Sequence, residues 1–395
     1  MLNTLHIKHF TVFQDVILQF SPGLNIIIGD NGTGKTHLLK LGYMFCRAWP
    51  DLMSKRLPMN KQRSEAYLDE KLAGLFRLSD LGTLVRREHK NGATLAADVG
   101  GHIPTYSIRL ALEPPSTSLG LDERMRWEIQ IKRSKDAPAK ISAGIIPESA
   151  AVNAFVPRSI FVPSKEIVSL FQGLIYLFET FPKFPLDETY RDLAVALSLT
   201  LERRDPSPLL DEVLQRIQTL LGGELRLENN DLVFIRNDGS QLESQLLAEG
   251  HRKLALLIYL VRYRLIEAGN TVFWDEPEAN LNPAAIRLLA DALYSLAEQG
   301  VQVICATHSL FFLREFEILA RKSSLGKTTN KTSRDELEKT KSGSLEKTVP
   351  MRFFALELGS KGVTVSVGAE LSEIGPILAL DEDIAQSDRF LDVLE

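Results

Sequence analysis

The segment Gly29-Asp30-Asn31-Gly32-Thr33-Gly34-Lys35-Thr36 constrains this chain more than any other, because it matches G-x-x-x-x-G-K-[ST] in full. Its context matters as much as its letters. Leu24-Asn25-Ile26-Ile27-Ile28 before it reads as a buried strand. After it, Leu38, Leu41, Phe45 and Trp49 recur at helical spacing, and Pro50 is expected to end that helix. A strand, a glycine-rich loop and a helix start together make a phosphate cradle; a chance glycine-rich turn would need neither flank. Glycines let backbone N–H groups converge on phosphate oxygens without Cβ clashes. The helix N-terminus adds partial positive charge. Lys35 is placed to bridge β- and γ-phosphates and Thr36 to ligate Mg²⁺. The expected cofactors are therefore ATP and Mg²⁺, with Gly29, Asp30, Asn31, Gly32, Thr33, Gly34, Lys35, Thr36 and His37 as the binding segment.

A second signal is Val272-Phe273-Trp274-Asp275-Glu276, an apolar strand ending in two acids that alternate to opposite sides. Asp275 suits a Mg²⁺ shell and Glu276 suits orienting or deprotonating an attacking water. Alone, this pair reads equally well as a solvated acidic turn; beside the loop it reads as chemistry. Further on, Asn282-Pro283 caps and starts a helix that Gly300 ends, and Val301 to Ala306 is the next strand. Strand, helix and strand with short links predict a parallel α/β arrangement.

Asp275-Glu276-Pro277-Glu278-Ala279-Asn280-Leu281-Asn282-Pro283 resembles the Walker B and D-loop run of ABC/SMC-type ATPases. Thr307-His308-Ser309 resembles their switch histidine, and Leu247-Ala248-Glu249-Gly250-His251, opening a helix, resembles their signature motif. The four motifs stand in that superfamily's order, over about residues 1–50 and 240–315. Within it the chain resembles stand-alone prokaryotic AAA-type ATPases related to the overcoming-lysogenization-defect and recombination-mediator proteins, several of which act in phage defence or DNA transactions. The resemblance implies an α/β fold: an ABC/SMC-type ATPase head with a mixed β-sheet and a helical/β insert. It also implies a homodimer or higher homo-oligomer, in which ATP held by one copy is capped by Ala248 and Gly250 of another while His308 senses the γ-phosphate in cis. Catalysis would rest on Glu276, Lys35 and His308, and the metal on Thr36 and Asp275. This chain departs from the pattern at three places: Ala248 replaces the signature serine, Glu249 its first glycine, and Asn282 the D-loop aspartate. Slow hydrolysis follows as an expectation. Pro163-Ser164-Lys165-Glu166 stands about where a Q-loop is expected, without its glutamine.

The domain reading is a discontinuous ATPase core at 1–50 and 240–320, a β-arm and helical insert at 51–239, a flexible linker at 321–350, and C-terminal strands with an acidic tail at 351–395. The insert shows no sustained heptads, so it does not read as a long coiled coil. His251 reads as a helix-face residue, and Arg252 and Lys253 as either nucleotide contacts or, more simply, solvated charges.

Net charge is −5 over 395 residues, so a bulk electrostatic footprint for nucleic acid is absent. Local basic runs remain at Lys55-Arg56 with Lys61 and Arg63, at Arg86-Arg87 with Lys90, and at Lys132-Arg133 with Lys135 and Lys140; solvated surface is their simpler reading, and nucleic acid stays open. Only two cysteines, Cys46 and Cys305, sit in segments that read as helix and buried strand, which points to a reducing, cytoplasmic setting. The N-terminus lacks a signal-peptide layout, and no apolar stretch approaches a membrane span. Glu370, Asp381, Glu382 and Asp383 invite a metal-nuclease reading, but too few residues follow the linker to build such a domain. The expected function is an ATP-binding and hydrolysing switch whose pairing controls an effector protein or nucleic acid. The alternative is a nucleotide-gated scaffold with negligible turnover.

Overall fold

The computed structural model describes residues 1–54, 61–86, 92–100, 106–112, 125–131, 159–181, 184–199, 203–329 and 349–394. The strands are β1 (Leu2–Phe10), β2 (Phe13–Gln19), β3 (Leu24–Gly29), β4 (Ala93–Val99), β5 (Tyr106–Leu112), β6 (Met125–Ile131) and β7 (Ser159–Val162). They continue with β8 (Gly223–Glu228), β9 (Asp231–Arg236), β10 (Gln241–Glu243), β11 (Thr271–Asp275), β12 (Gln302–Thr307), β13 (Met351–Gly359) and β14 (Gly362–Gly368). The helices are α1 (Lys35–Ser54), α2 (Lys61–Phe76), α3 (Phe171–Thr180), α4 (Glu188–Leu197), α5 (Pro208–Leu221), α6 (Glu249–Arg262), α7 (Pro283–Glu298), α8 (Leu310–Thr329) and α9 (Leu378–Leu394).

Eleven strands form one sheet in the order β6-β5-β4-β1-β2-β14-β13-β3-β12-β11-β7. The neighbours β7, β11, β12, β3 and β13 are parallel, whereas β13–β14 and the run from β2 through β6 pair antiparallel. The sheet is thus mixed, as the resemblance implied. Its central strands are buried on both faces and split their side chains between two cores. Ile26, Ile28, Val272, Trp274, Val303 and Cys305 face the layer containing α5, α6 and α7. Ile27, Phe273, Ile304 and Ala306 face the layer containing α1, with Leu38, Leu41 and Phe45. Continuous apolar runs are what a parallel strand covered twice requires.

The sheet also crosses the expected segment limits. β7, from the 51–239 stretch, forms one edge of the parallel core, and β13, from the 351–395 stretch, lies beside β3. Two local readings, at Pro50 and in the acidic tail, differ from the sequence expectation. Helix α1 continues through Pro50 to Ser54, because proline removes a single donor near the helix end. Asp51 holds that last turn by pairing with Arg47 at 3.0 Å and accepting from the Tyr67 hydroxyl at 2.7 Å. Leu81–Leu84 forms a 3-10 turn capped by Asp80. The acidic tail is helical in α9, where Ala379 and Leu380 rest on the core while Ile384, Phe390 and Leu391 are exposed. Among the described residues, no helix is long and apolar enough to cross a membrane.

Candidate nucleotide site

The loop between β3 and α1 carries the predicted cradle at the carboxyl edge of the parallel strands. Asp30, Asn31 and Gly32 are exposed at its crest, and Gly29 and Thr33 form its base, with the Thr33 hydroxyl donating to the Asp30 carbonyl at 2.8 Å. Gly34 is obligatory here. Its φ is +87°, and a Cβ would stand 2.7 Å from the Phe13 ring. Lys35 is buried and curls back to donate to the carbonyls of Gly29 at 2.7 Å and Asp30 at 2.9 Å. Burial pushes its ammonium below the usual lysine range, and Glu276, Asp275, Asp30 and Glu278 oppose that shift. An anionic surrounding of this kind suits a cation that will meet a polyphosphate.

The Thr36 hydroxyl donates to Asp275 Oδ2 at 2.8 Å. Asp275 ends β11 and is buried; burial raises its carboxyl to about 6 despite the Thr36 bond. These two hard oxygens fit Mg²⁺, which in nucleotide sites takes one or two protein ligands and completes its shell with phosphates and water. Among the described residues no cluster of three or more His, Cys, Asp or Glu stands ready for a metal, so the nucleotide would supply the remaining ligands.

Glu276 follows with φ +49°, a left-handed backbone that turns its side chain out of the strand line. Its amide donates to the Ala306 carbonyl at 2.9 Å, and its carboxylate lies 3.5 Å from His308 Nδ1. Glu276 and His308 are half-exposed at the site, so both are open to a ligand. The structure therefore brings Lys35, Thr36, Asp275, Glu276 and His308 to one edge. His37 lies apart from them. Its ring stands edge-on to Phe10 and Phe76, with Nδ1 3.2 Å from the Thr11 hydroxyl, and burial lowers its pKa to about 4. Only its backbone remains available to a nucleotide.

Ala248 and Gly250 belong to the start of α6, which packs on the turn after β11. Ala248 is exposed and gives α6 no side-chain cap, leaving free amides at the helix start. Gly250 is buried, and a Cβ there would meet the Asn280 carbonyl at 2.4 Å. Its small size therefore seats α6 against its own Walker B turn, and the outward-facing part of this corner is Ala248 with Glu249. Asn282 Oδ1 accepts from the Ala285 amide at 2.9 Å, so the D-loop position is occupied as the cap of α7.

Several residues were not singled out from the sequence or were misread. Lys253 and Arg252 are not solvated. Lys253 is 1% exposed and donates to the carbonyls of Glu276 at 3.3 Å and Ala279 at 3.1 Å. Arg252 Nε lies 2.9 Å from Glu166 Oε1, which ties the segment after β7 to α6. Lys253 sits four and eight residues before Leu257 and Val261, inside the apolar stripe of α6, and that placement was the available signal. Glu278 is buried and accepts from the Thr307 hydroxyl at 2.5 Å, 4.0 Å from His308 Nδ1. Lys40, one turn after Thr36, donates to Asp187 at 2.8 Å and the Leu75 carbonyl at 2.9 Å. Of the side chains in the basic runs, only that of Arg86 lies within the described residues; it donates to the Val12 carbonyl at 3.5 Å. Residues 330–348 of the expected linker also lie outside them. Asp383 of the candidate nuclease acids pairs with Arg314 at 3.3 Å.

A mixed sheet with a phosphate loop after β3 and paired acids at the end of β11 defines a P-loop ATPase of the ABC/SMC-like class. A family profile described as "AAA domain, putative AbiEii toxin, Type IV TA system" matches residues 24–314, and the chain belongs to that AAA-domain family. A second AAA-domain profile matches residues 4–41. The DNA replication and repair protein RecF of Idiomarina loihiensis is 51% identical over 43 residues, 11% of this chain and 12% of that protein. The Old nuclease of Escherichia phage P2 is 31% identical over 142 residues, 34% of this chain and 23% of the nuclease. The chain thus matches only a small part of each curated relative's length. An SMC head solved with the C-winged helix domain of ScpA shares the fold, with a TM-score of 0.51 and 14% identity over 93% of this chain and 97% of that one.

Proposed function

We propose that the chain is an ATP-driven switch in which two copies pair through their nucleotides, hydrolyse ATP and release. The observations that carry this reading are a cluster assembled in cis and an exposed, uncapped helix start. Lys35, Thr36, Asp275, Glu276 and His308 converge in cis, while the uncapped start of α6 at Ala248 faces outward from a different element. Charge spread over a transferring phosphoryl group needs donors all round it, and one copy supplies only one side. In this account Lys35 neutralises the phosphates and Glu276, steadied beside His308, takes the proton of the attacking water. Thr36 and Asp275 would hold Mg²⁺, which supplies charge neutralisation at the phosphates. The α6 amides of the second copy would close the γ-phosphate.

The RecF and Old nuclease relatives support a nucleotide-dependent role in DNA maintenance or phage defence, and the family description supports a toxin–antitoxin setting. A separately encoded effector protein or a nucleic acid is the proposed target of the switch. A scaffold with negligible turnover is the second reading, favoured by Ala248, which brings no hydroxyl, and by Glu249, which brings negative charge to the same corner. Phosphate release measured against protein concentration, with and without DNA, tests both. The switch predicts a rate per copy that rises with concentration until pairs saturate. A rate per copy independent of concentration would contradict pairing, and no release under any condition would favour the scaffold.

A further inference from the structure

Helix α6 begins at the corner proposed to meet a second copy's nucleotide, and one turn later it buries a lysine under the catalytic turn of its own copy. Lys253 is 1% exposed, and its ammonium donates to two main-chain carbonyls, those of Glu276 at 3.3 Å and Ala279 at 3.1 Å. The turn it grips is unusual. Glu276 and Asn280 both take left-handed backbone, with φ +49° and +65°, and neither is glycine. Such backbone persists only where the surroundings over-determine it. The Ala279 amide donates to the Glu276 carbonyl at 3.2 Å and the Leu281 amide to that of Glu278 at 3.1 Å, so Lys253 completes a compact hydrogen-bonded turn. On the other side, Arg252 fastens α6 to Glu166 at 2.9 Å and to the Leu247 carbonyl at 2.5 Å. An apolar residue at position 253 would match the stripe of Leu254, Leu257 and Val261 but would take from the Ala279 carbonyl its lysine donor and leave the Glu276 carbonyl with the Ala279 amide alone.

We propose that Lys253 is a positioning residue for Glu276, which fixes the left-handed turn, aims the Glu276 carboxylate beside His308, and makes that aim depend on the seating of α6. This inference rests on the catalytic role proposed for Glu276. Its consequence is that closure of a partner's nucleotide on the start of α6 is felt at the water-activating acid of the same copy, so the two ATP sites of a pair are mechanically linked.

The test uses the full chain in four forms: Lys253→Met, Lys253→Arg, Glu276→Gln, and Lys253→Met combined with Glu276→Gln. Three quantities are read: kcat for phosphate release, Kd for a fluorescent ATP analogue, and melting temperature. A misaimed carboxylate predicts that Lys253→Met lowers kcat about 100-fold with Kd within about twofold. In the Glu276→Gln background the same change should lower the residual single-turnover rate no further, because the group it acts through is gone. Lys253→Arg, which keeps the donors, should recover about tenfold of the loss. Turnover of Lys253→Met within about threefold of wild type would overturn the proposal. So would an additive loss in the Glu276→Gln background, which would make Lys253 a fold-holding residue. If Glu276→Gln itself kept full turnover, the catalytic reading of Glu276 would fall too; if Glu276→Gln is inactive and Lys253→Met active, only the positioning role falls.

Discussion

The Thr36 hydroxyl donates to Asp275 Oδ2 across 2.8 Å, joining residues 239 positions apart in the chain. One belongs to the first turn of α1 and the other to the last position of β11, so the parallel order of β3, β12 and β11 is what lets them meet. Burial has raised Asp275 to about 6, well above the usual aspartate range of about 4. The cost of keeping it ionised is therefore present above pH 6 and disappears below pH 4. Asp275→Asn should stabilise the nucleotide-free protein by on the order of 2–3 kcal/mol at pH 8, and the gain should fade as pH falls through 6 towards 4. Melting temperatures of both proteins at pH 5 and pH 8 check the sign. Phosphate release by the variant should fall to background.

Lys35 is already desolvated and bonded to its own loop before any phosphate arrives. Lys35→Ala removes a charge-assisted donor worth about 2–3 kcal/mol and should weaken ATP binding roughly 100-fold. Titration with a fluorescent ATP analogue measures it. Full affinity in this variant would contradict the phosphate role.

Gly250 is filled around by its own Walker B turn, with the Asn280 carbonyl 2.4 Å and Leu281 Cδ2 2.9 Å from where a Cβ would stand. Neither neighbour is the free end of a flexible polar chain. Gly250→Ala should cost about 1–3 kcal/mol of stability, read as a lower melting temperature, and should displace the start of α6 enough to weaken ATP-dependent pairing.

Lys71 joins the helical layer to the P-loop helix. It donates to Glu188 at 2.8 Å and to Asp192 at 2.6 Å, while Asp192 also accepts from the Tyr43 hydroxyl of α1 at 2.7 Å. Burial pushes Asp192 up, but Lys71 and Arg47 hold it below the usual carboxylate range. Lys71→Met would strand these carboxylates and should destabilise the chain by about 3–5 kcal/mol, seen in the denaturant midpoint. The double change with Asp192→Asn should recover part of that loss.

Much of the catalytic edge was legible in the sequence because each piece is local. The loop from Gly29 to Thr36 is contiguous, and so are Asp275-Glu276 and Thr307-His308; strand periodicity then places all three at strand ends. The residues that hold those pieces were not legible. Lys253 reads as a solvated charge until α6 is laid under the turn at Glu276, and Arg252 finds Glu166 only once β7 joins the sheet beside β11. His37 looked like a continuation of the loop, yet the hairpin of β1 and β2 brings Phe10 to its ring. The helix α9 was hidden because the run Asp381-Glu382-Asp383 reads as a solvated tail, although Leu380, Ile384 and Leu391 recur at helical spacing around it. For Arg252 and His37 the missing information was a long-range pairing that no window of sequence contains.

The account depends on two copies sharing each nucleotide, and Glu276→Gln tests this most directly because it should preserve binding while stopping hydrolysis. Light scattering of this variant at saturating ATP and Mg²⁺ should show twice the mass of the nucleotide-free protein, reverting when Lys35→Ala is added. A mass equal to that of a single chain under saturating ATP would contradict the shared site.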